Sequence, residues 1–271
     1  MRAQCVLAIM CCQLLAVSPA RASDQAAPLA IGETFMLHSK ALNETRRINV
    51  YLPPGYADSP DRRFPVLYMP DGGLAEDFLH VAGLVQVSVG NGTMRPFVLI
   101  GIENTERRRD LTGPTQNAED KKIAPRVGGS AAFRKFLREE LMPDVQARYR
   151  ATDETAIVGE SLAGLFVIET FQLEPELFDT YIAIDPSLWW NEGSLVASAP
   201  QRLGTHPKLE AMLWFCSSGD ERGDGTERFA AALKSSAPSG LKWHFEPMPQ
   251  EKHATIYHPA ALQAFREVFK P

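Results

Sequence analysis

Three features of the sequence predict an α/β fold, with a mostly parallel sheet, helices on both faces and an antiparallel N-terminal edge. First, Phe64–Pro70, Phe97–Ile102, Tyr181–Ile184 and Leu213–Cys216 are short apolar runs. Such runs suit strands buried on both faces. Second, stretches of helical spacing separate and follow them, as in Ala75–Val87 between the first two and Pro259–Phe269 at the close. That alternation is the pattern of parallel strands joined by crossover helices. Third, Glu33–His38 and Arg47–Leu52 read as a hairpin that turns near Ala41–Glu44. Its second arm alternates polar and apolar residues, as a half-buried strand does. At 271 residues, 45% hydrophobic and 23% charged, the chain suits one domain.

The elements follow in order. Residues 1–22 read as a secretory signal peptide: Arg2, an apolar run from Cys5 to Val17, then Ala20-Arg21-Ala22 before cleavage. The run is too short for a membrane span, so stable membrane insertion is not expected. The expected product is exported, periplasmic or secreted, and its single domain is residues 23–271. Losing Arg2 and Arg21 leaves 26 basic against 33 acidic residues, a net charge of −7. An acidic domain argues against nucleic-acid binding. Cys216 is the one cysteine after the leader, so no internal disulfide is expected.

Pro53-Pro54-Gly55 ends the hairpin, and Asp71-Gly72-Gly73 ends the Phe64–Pro70 strand. From Thr105 to Gly129 no periodicity is visible, and a structureless stretch that long is often a functional lid. It carries Arg107, Arg108 and Arg109, a local reversal of sign suited to an anionic substrate. Ser130 is expected to cap a helix with Phe133, Phe136, Leu137 and Leu141 on one face. Leu241–Pro247 is expected to be the last strand.

The chemistry centres on Gly159-Glu160-Ser161-Leu162-Ala163-Gly164, which follows the apolar run Ala156-Ile157-Val158. A strand, a sharp turn and a helix start make this a nucleophile elbow of the α/β-hydrolase kind, with Ala163 where Gly is usual. Such a site needs an acid and then a histidine later in the chain. His253 lies in the loop between the last strand and the last helix, where the base belongs. Asp220 and Glu221 follow the strand ending near Ser218, and Asp185 ends the preceding strand, out of the expected order. Leu162 N–H and the Asp71-Gly72-Gly73 turn are candidates for the oxyanion hole. No His-Glu-x-x-His segment or Cys/His cluster with ligand spacing occurs, so no metal or cofactor is expected.

These landmarks resemble the esterase branch of the α/β hydrolases that includes siderophore (enterochelin and bacillibactin) esterases, feruloyl esterases, S-formylglutathione hydrolases and mycolyltransferases. The resemblance runs from about Arg47 to Phe269. It rests on Pro65-Val66-Leu67-Tyr68 through Asp71-Gly72, Leu137–Pro143, Gly159–Phe166, Asp185-Pro186-Ser187-Leu188-Trp189-Trp190 and the His253 loop. It implies Ser161 as nucleophile, His253 as base and Gly73 as the second oxyanion donor beside Leu162. The Gly219-Asp220-Glu221 turn is similar to a family Gly-x-Glu turn, which favours Glu221 as acid with Asp220 as alternate. Arg109 opens a segment similar to a family Arg-Asp-Leu-Thr-Pro stretch, with Gly113 inserted. Arg109, Trp189 and Gly72 are the expected substrate contacts. Glu160 departs from the His or Gln usual before the serine.

The implied activity is hydrolysis of a small-molecule ester through an acyl-enzyme, on siderophore-type or aryl esters. Acyl transfer on the same triad is the alternative, and a non-catalytic binding protein the remoter one. The sequence sets no oligomeric state.

Overall fold

The apolar runs become eight strands of a single sheet in the computed structural model, which describes Ala26 and residues 28–271. The expected signal peptide lies outside the described residues. Within Ile31–Pro271 the strands are β1 (Glu33–Ser39), β2 (Glu44–Tyr51), β3 (Phe64–Pro70), β4 (Val98–Ile102), β5 (Ala151–Glu160), β6 (Thr180–Ile184), β7 (Met212–Ser218) and β8 (Lys242–Met248). Their order is β1-β2-β4-β3-β5-β6-β7-β8. β1 pairs antiparallel with β2, and β2 with β4; every other pair is parallel. The fold is therefore the predicted one, with β1 and β2 as its antiparallel edge.

Register brings four chain segments to one end of the sheet. Glu160 pairs with Ile184, Ile184 with Cys216, and Ser218 with Met248. Ser161, Asp185, Gly219 and the loop after β8 thus all emerge at the carboxyl ends of neighbouring strands, where open α/β sheets bind ligands.

Two apolar layers hold the sheet. On one face Phe133, Phe136, Phe166, Phe171 and Phe229 pack against Tyr68, Tyr181 and Phe215. On the other, helix α1 (Phe78–Gly90) brings Phe78, Val81 and Val85 against Leu67 and Leu99. Each fully buried side chain of this size contributes about 1.5–3 kcal/mol. α1 begins at Phe78, three residues later than the sequence predicts, because Leu74–Asp77 form turns. The amphipathic terminal helix, α8 (Tyr257–Val268), covers the same face as α1.

Between β4 and β5 the chain is more ordered than its sequence suggests. A single turn, α2 (Arg107–Asp110), and a 3-10 turn at Asp120–Lys122 interrupt residues 105–129. Ser130 does not cap α3 (Ser130–Phe136); Gly129 holds the N-cap position and no side chain caps it. A π-helical turn at Leu137–Leu141 joins α3 to α4 (Met142–Arg148). Pro143 lacks the N–H that a regular ladder needs, which suits a change of pitch just before it.

A buried charge pair ties α2 to the sheet edge. Arg46 on β2 is fully buried and bonds Asp110, which is also buried. Removing Asp110 takes a buried partner from Arg46 but leaves Glu44 Oε1 2.5 Å from its Nη2, so the cost is about 1–3 kcal/mol, less than for a charge with no partner left. Asp110→Ala is expected to lower stability by that amount in urea unfolding; a midpoint unchanged from wild type would show the pair to be dispensable.

Candidate active site

Ser161 sits at a strained turn. Its backbone has φ 61° and ψ −119°, a conformation that side-chain-bearing residues rarely adopt. The turn is held on both sides: Ser161 N–H donates to Ile184 O (3.0 Å), and Ser187 N–H donates to Ser161 O (3.0 Å). Gly159 is required because a Cβ there would come within 2.7 Å of the Ala163 methyl. A methyl is tolerated at the fifth motif position only because the first has none. α5 (Leu162–Leu173) then runs through the core with every residue from Leu162 to Gln172 buried, a helix enclosed on all sides that anchors the elbow.

His253 meets the serine. Its Nε2 lies 3.0 Å from Ser161 Oγ, and its Nδ1 lies 2.5 Å from Asp185 Oδ2. The carboxylate at the ring is thus that of Asp185, and neither Glu221 nor Asp220, the acids expected from sequence, reaches Nδ1. Asp185, 3% exposed, leaves β6 with a left-handed φ of 43° that turns its carboxylate under the ring. Ser218 N–H donates to Asp185 Oδ1 (2.8 Å), and Ser218 Oγ lies 2.8 Å from Oδ2. Burial raises the Asp185 pKa, but the hydrogen bonds from His253 and Ser218 outweigh it and hold the carboxyl below its usual range. His253 is raised, chiefly by the Asp185 hydrogen bond and against its own desolvation.

Glu221 faces elsewhere. Its Oε1 accepts from Thr226 N–H (3.0 Å) and its Oε2 from Thr226 Oγ1, so it closes the first turn of α7 (Gly225–Ser236). Burial raises its pKa, the opposite of what a standing triad anion needs. Asp220 takes a different part: its Oδ1 accepts the His253 backbone N–H at 2.6 Å. It fixes the loop rather than the ring.

The expected oxyanion and substrate residues divide. Leu162 N–H opens α5, where the first helical donors have no partner within the helix. Gly73 N–H donates to Glu76 Oε2 at 2.7 Å. Gly72 does not face a ligand: its N–H donates to Ile102 O (3.0 Å), and a Cβ there would lie 2.2 Å from Ile102 N. Arg109 is likewise committed within its own chain, with Nε 2.6 Å from Asp110 Oδ1 and Nη2 2.7 Å from Glu44 Oε1. Trp189 does line the site. With Pro186, Ser187, Arg222 and Glu221 it borders a cavity of about 290 Å³ that includes Ser161, Asp185 and His253. Arg222 stacks over its ring at 4.5 Å. Trp190, the first residue of α6 (Trp190–Gly204), turns inward and donates to Gly113 O at 2.9 Å.

Sequence reasoning ranked Asp185 low because it precedes the expected strand. Its signal was present in Ile184-Asp185-Pro186, where a proline stops the strand and leaves an acidic residue at its end. Nothing in the sequence marked Arg222 or the contact between Glu160 and His253.

Comparison with known proteins agrees with this geometry. The family model described as Putative esterase matches residues 39–254. The ferri-bacillibactin esterase BesA of Bacillus subtilis is 29% identical over 180 residues, 59% of this chain and 60% of that protein. A siderophore triacetylfusarinine C esterase of Aspergillus fumigatus is 31% identical over 183 residues, covering 60% of this chain and 58% of that one. These matches thus span under two thirds of either relative. Among solved structures, an IroE-like serine hydrolase from Shewanella oneidensis superposes with a TM-score of 0.79 at 27% identity, over 88% of this chain and 80% of that one. With more than half its length matched by the family model and its elbow, sheet order and late histidine all in keeping, the chain belongs to the Putative esterase family.

Proposed function

We propose that this protein is an exported serine hydrolase of small-molecule carboxylic esters, working through Ser161, His253 and Asp185. The observation that supports this best is the continuous chain from Ser161 Oγ to His253 Nε2 (3.0 Å) and from His253 Nδ1 to Asp185 Oδ2 (2.5 Å).

In this reading Nε2 accepts the serine proton as Oγ attacks the ester carbonyl. The carbonyl oxygen becomes an oxyanion, and Leu162 N–H donates to it at the start of α5. For Gly73 N–H to serve as the second donor, Glu76 must first release it. The imidazolium, steadied by Asp185, gives its proton to the departing alkoxide. Water activated by the same imidazole then resolves the acyl-enzyme. No helix among the described residues is long and apolar enough to cross a membrane. The leader at residues 1–22 is the basis for proposing export to a periplasmic or external space.

The names of the two curated relatives point to siderophore esters as the substrate class, with aryl esters as simpler surrogates. A fluorophosphonate probe is expected to label Ser161, as read by peptide mass spectrometry. A panel of siderophore trilactones, feruloyl esters and aryl acetates should yield free acid. Labelling at another residue, with no acid released from any of the panel, would end this reading.

A further inference from the structure

His253 Nε2 faces two side-chain oxygens. Ser161 Oγ lies 3.0 Å away and Glu160 Oε1 lies 3.4 Å away. The Glu160 side chain is 17% exposed. It sits at the end of β5, one residue before the nucleophile, and approaches the nitrogen that must take up the serine proton. His253 therefore has a carboxylate on each side of its ring, Asp185 at Nδ1 and Glu160 at Nε2.

The groups around Glu160 come from several elements. Arg107 on α2, and Asp71 and Asp77 after β3, act on it electrostatically, as does His253 itself. Tyr257 on α8 and Cys216 on β7 also feel its charge. Arg107 is engaged by Asp71, with Nε 2.7 Å from Oδ1 and Nη2 2.7 Å from Oδ2. The nearest cation other than His253 is thus largely satisfied by another anion.

We propose that Glu160 is a positioning residue that shares one proton with His253 Nε2 and so sets the pH below which the base is occupied. This rests on the serine-triad reading above. The shared proton has two places. In one, a Glu160 carboxylic acid donates its O–H to the Nε2 lone pair. In the other, an imidazolium donates Nε2–H to the Glu160 carboxylate. Either way Nε2 has no free lone pair for Ser161. Once that proton passes to solvent, Nε2 accepts from the serine, and the Glu160 carboxylate then stabilises the imidazolium formed during attack.

The electrostatics agree in direction. Burial pushes the Glu160 carboxyl up to about 7, against the opposing charges of His253 and Arg107. His253 is raised first by its Asp185 hydrogen bond, with Glu160 and Asp220 adding to it. A group raised by neighbouring anions keeps its proton to higher pH, so activity should fall on the acid side earlier than for an isolated imidazole.

Glu160→Gln keeps the shape and removes the charge. The acid limb of kcat/KM is expected to move down by about one pH unit, with a plateau several-fold lower than wild type because imidazolium stabilisation is lost. One unit below the wild-type midpoint, activity relative to its own plateau should rise about fivefold, from about one eleventh to about one half. A second readout needs no turnover: the His253 ring titration by NMR in Ser161→Ala, with and without Glu160→Gln, should show the same downward shift. If the Gln variant does not fold, Glu160→Ala carries the same expectation. Unshifted midpoints by both methods would overturn the proposal. Loss of the triad reading would look different: Ser161→Ala would stay active while the NMR midpoint still reported the Glu160–His253 pair.

Discussion

Ser161→Ala is expected to fold and to lose ester hydrolysis by roughly three or more orders of magnitude. The argument is geometric. Oγ is the one nucleophilic atom 3.0 Å from His253 Nε2, and Ala can take the same strained turn because only the hydroxyl is removed. The turn's own hydrogen bonds, from Ser161 N–H to Ile184 O and from Ser187 N–H to Ser161 O, use backbone atoms that the substitution leaves in place. Thermal melting should therefore be close to wild type while turnover of an aryl ester disappears. Ser187 Oγ lies 3.5 Å from Ser161 Oγ, so Ser187→Ala is the control for a substitute nucleophile. If Ser161→Ala keeps wild-type rates, the elbow is not the site of attack.

Asp185→Asn is expected to lower kcat by about four orders of magnitude, the scale seen when a triad acid becomes an amide. The amide no longer supplies a carboxylate to Nδ1–H, so the imidazole loses its tautomer and the imidazolium its counter-charge. Glu221→Gln should change kcat little, since that carboxylate is bound to Thr226 at the start of α7. Steady-state kinetics on the two variants decide between them. A large loss in Glu221→Gln with Asp185→Asn near wild type would restore the assignment that the sequence favoured.

The placing of these carboxylates marks the limit of what the sequence carried. Sheet strands, helix faces and the elbow were legible because burial periodicity and the small residues Gly159 and Gly164 are local properties. His253 was legible because its loop position follows from chain order. The choice among Asp185, Asp220 and Glu221 was not, because it depends on where each strand end turns. A left-handed φ at Asp185 swings that carboxylate under the ring, while Thr226 draws Glu221 away. Arg109 failed as a ligand contact for a similar reason. Its charge invited an anion, but Glu44 and Asp110, distant and adjacent in sequence, already satisfy it. A loop without hydrophobic period reveals nothing about which charges pair across it.

The position of β3 has a consequence for how the chain reaches this fold. β3 lies between β4 and β5, so one of its edges waits for residues 151–160, some eighty positions further along. Before β5 is synthesised, β1, β2, β4 and β3 can form a partial sheet whose open edge is Phe64–Pro70, a strand with no charged residue. An uncharged edge invites pairing with other chains, and Pro65 and Pro70, which lack the N–H that such pairing needs, oppose it. Parallel pairing across so wide a sequence gap is also slow, since the loop must close before the contacts form. Pro65 and Pro70 thus guard the strand that waits longest for its second neighbour while the polypeptide is incomplete.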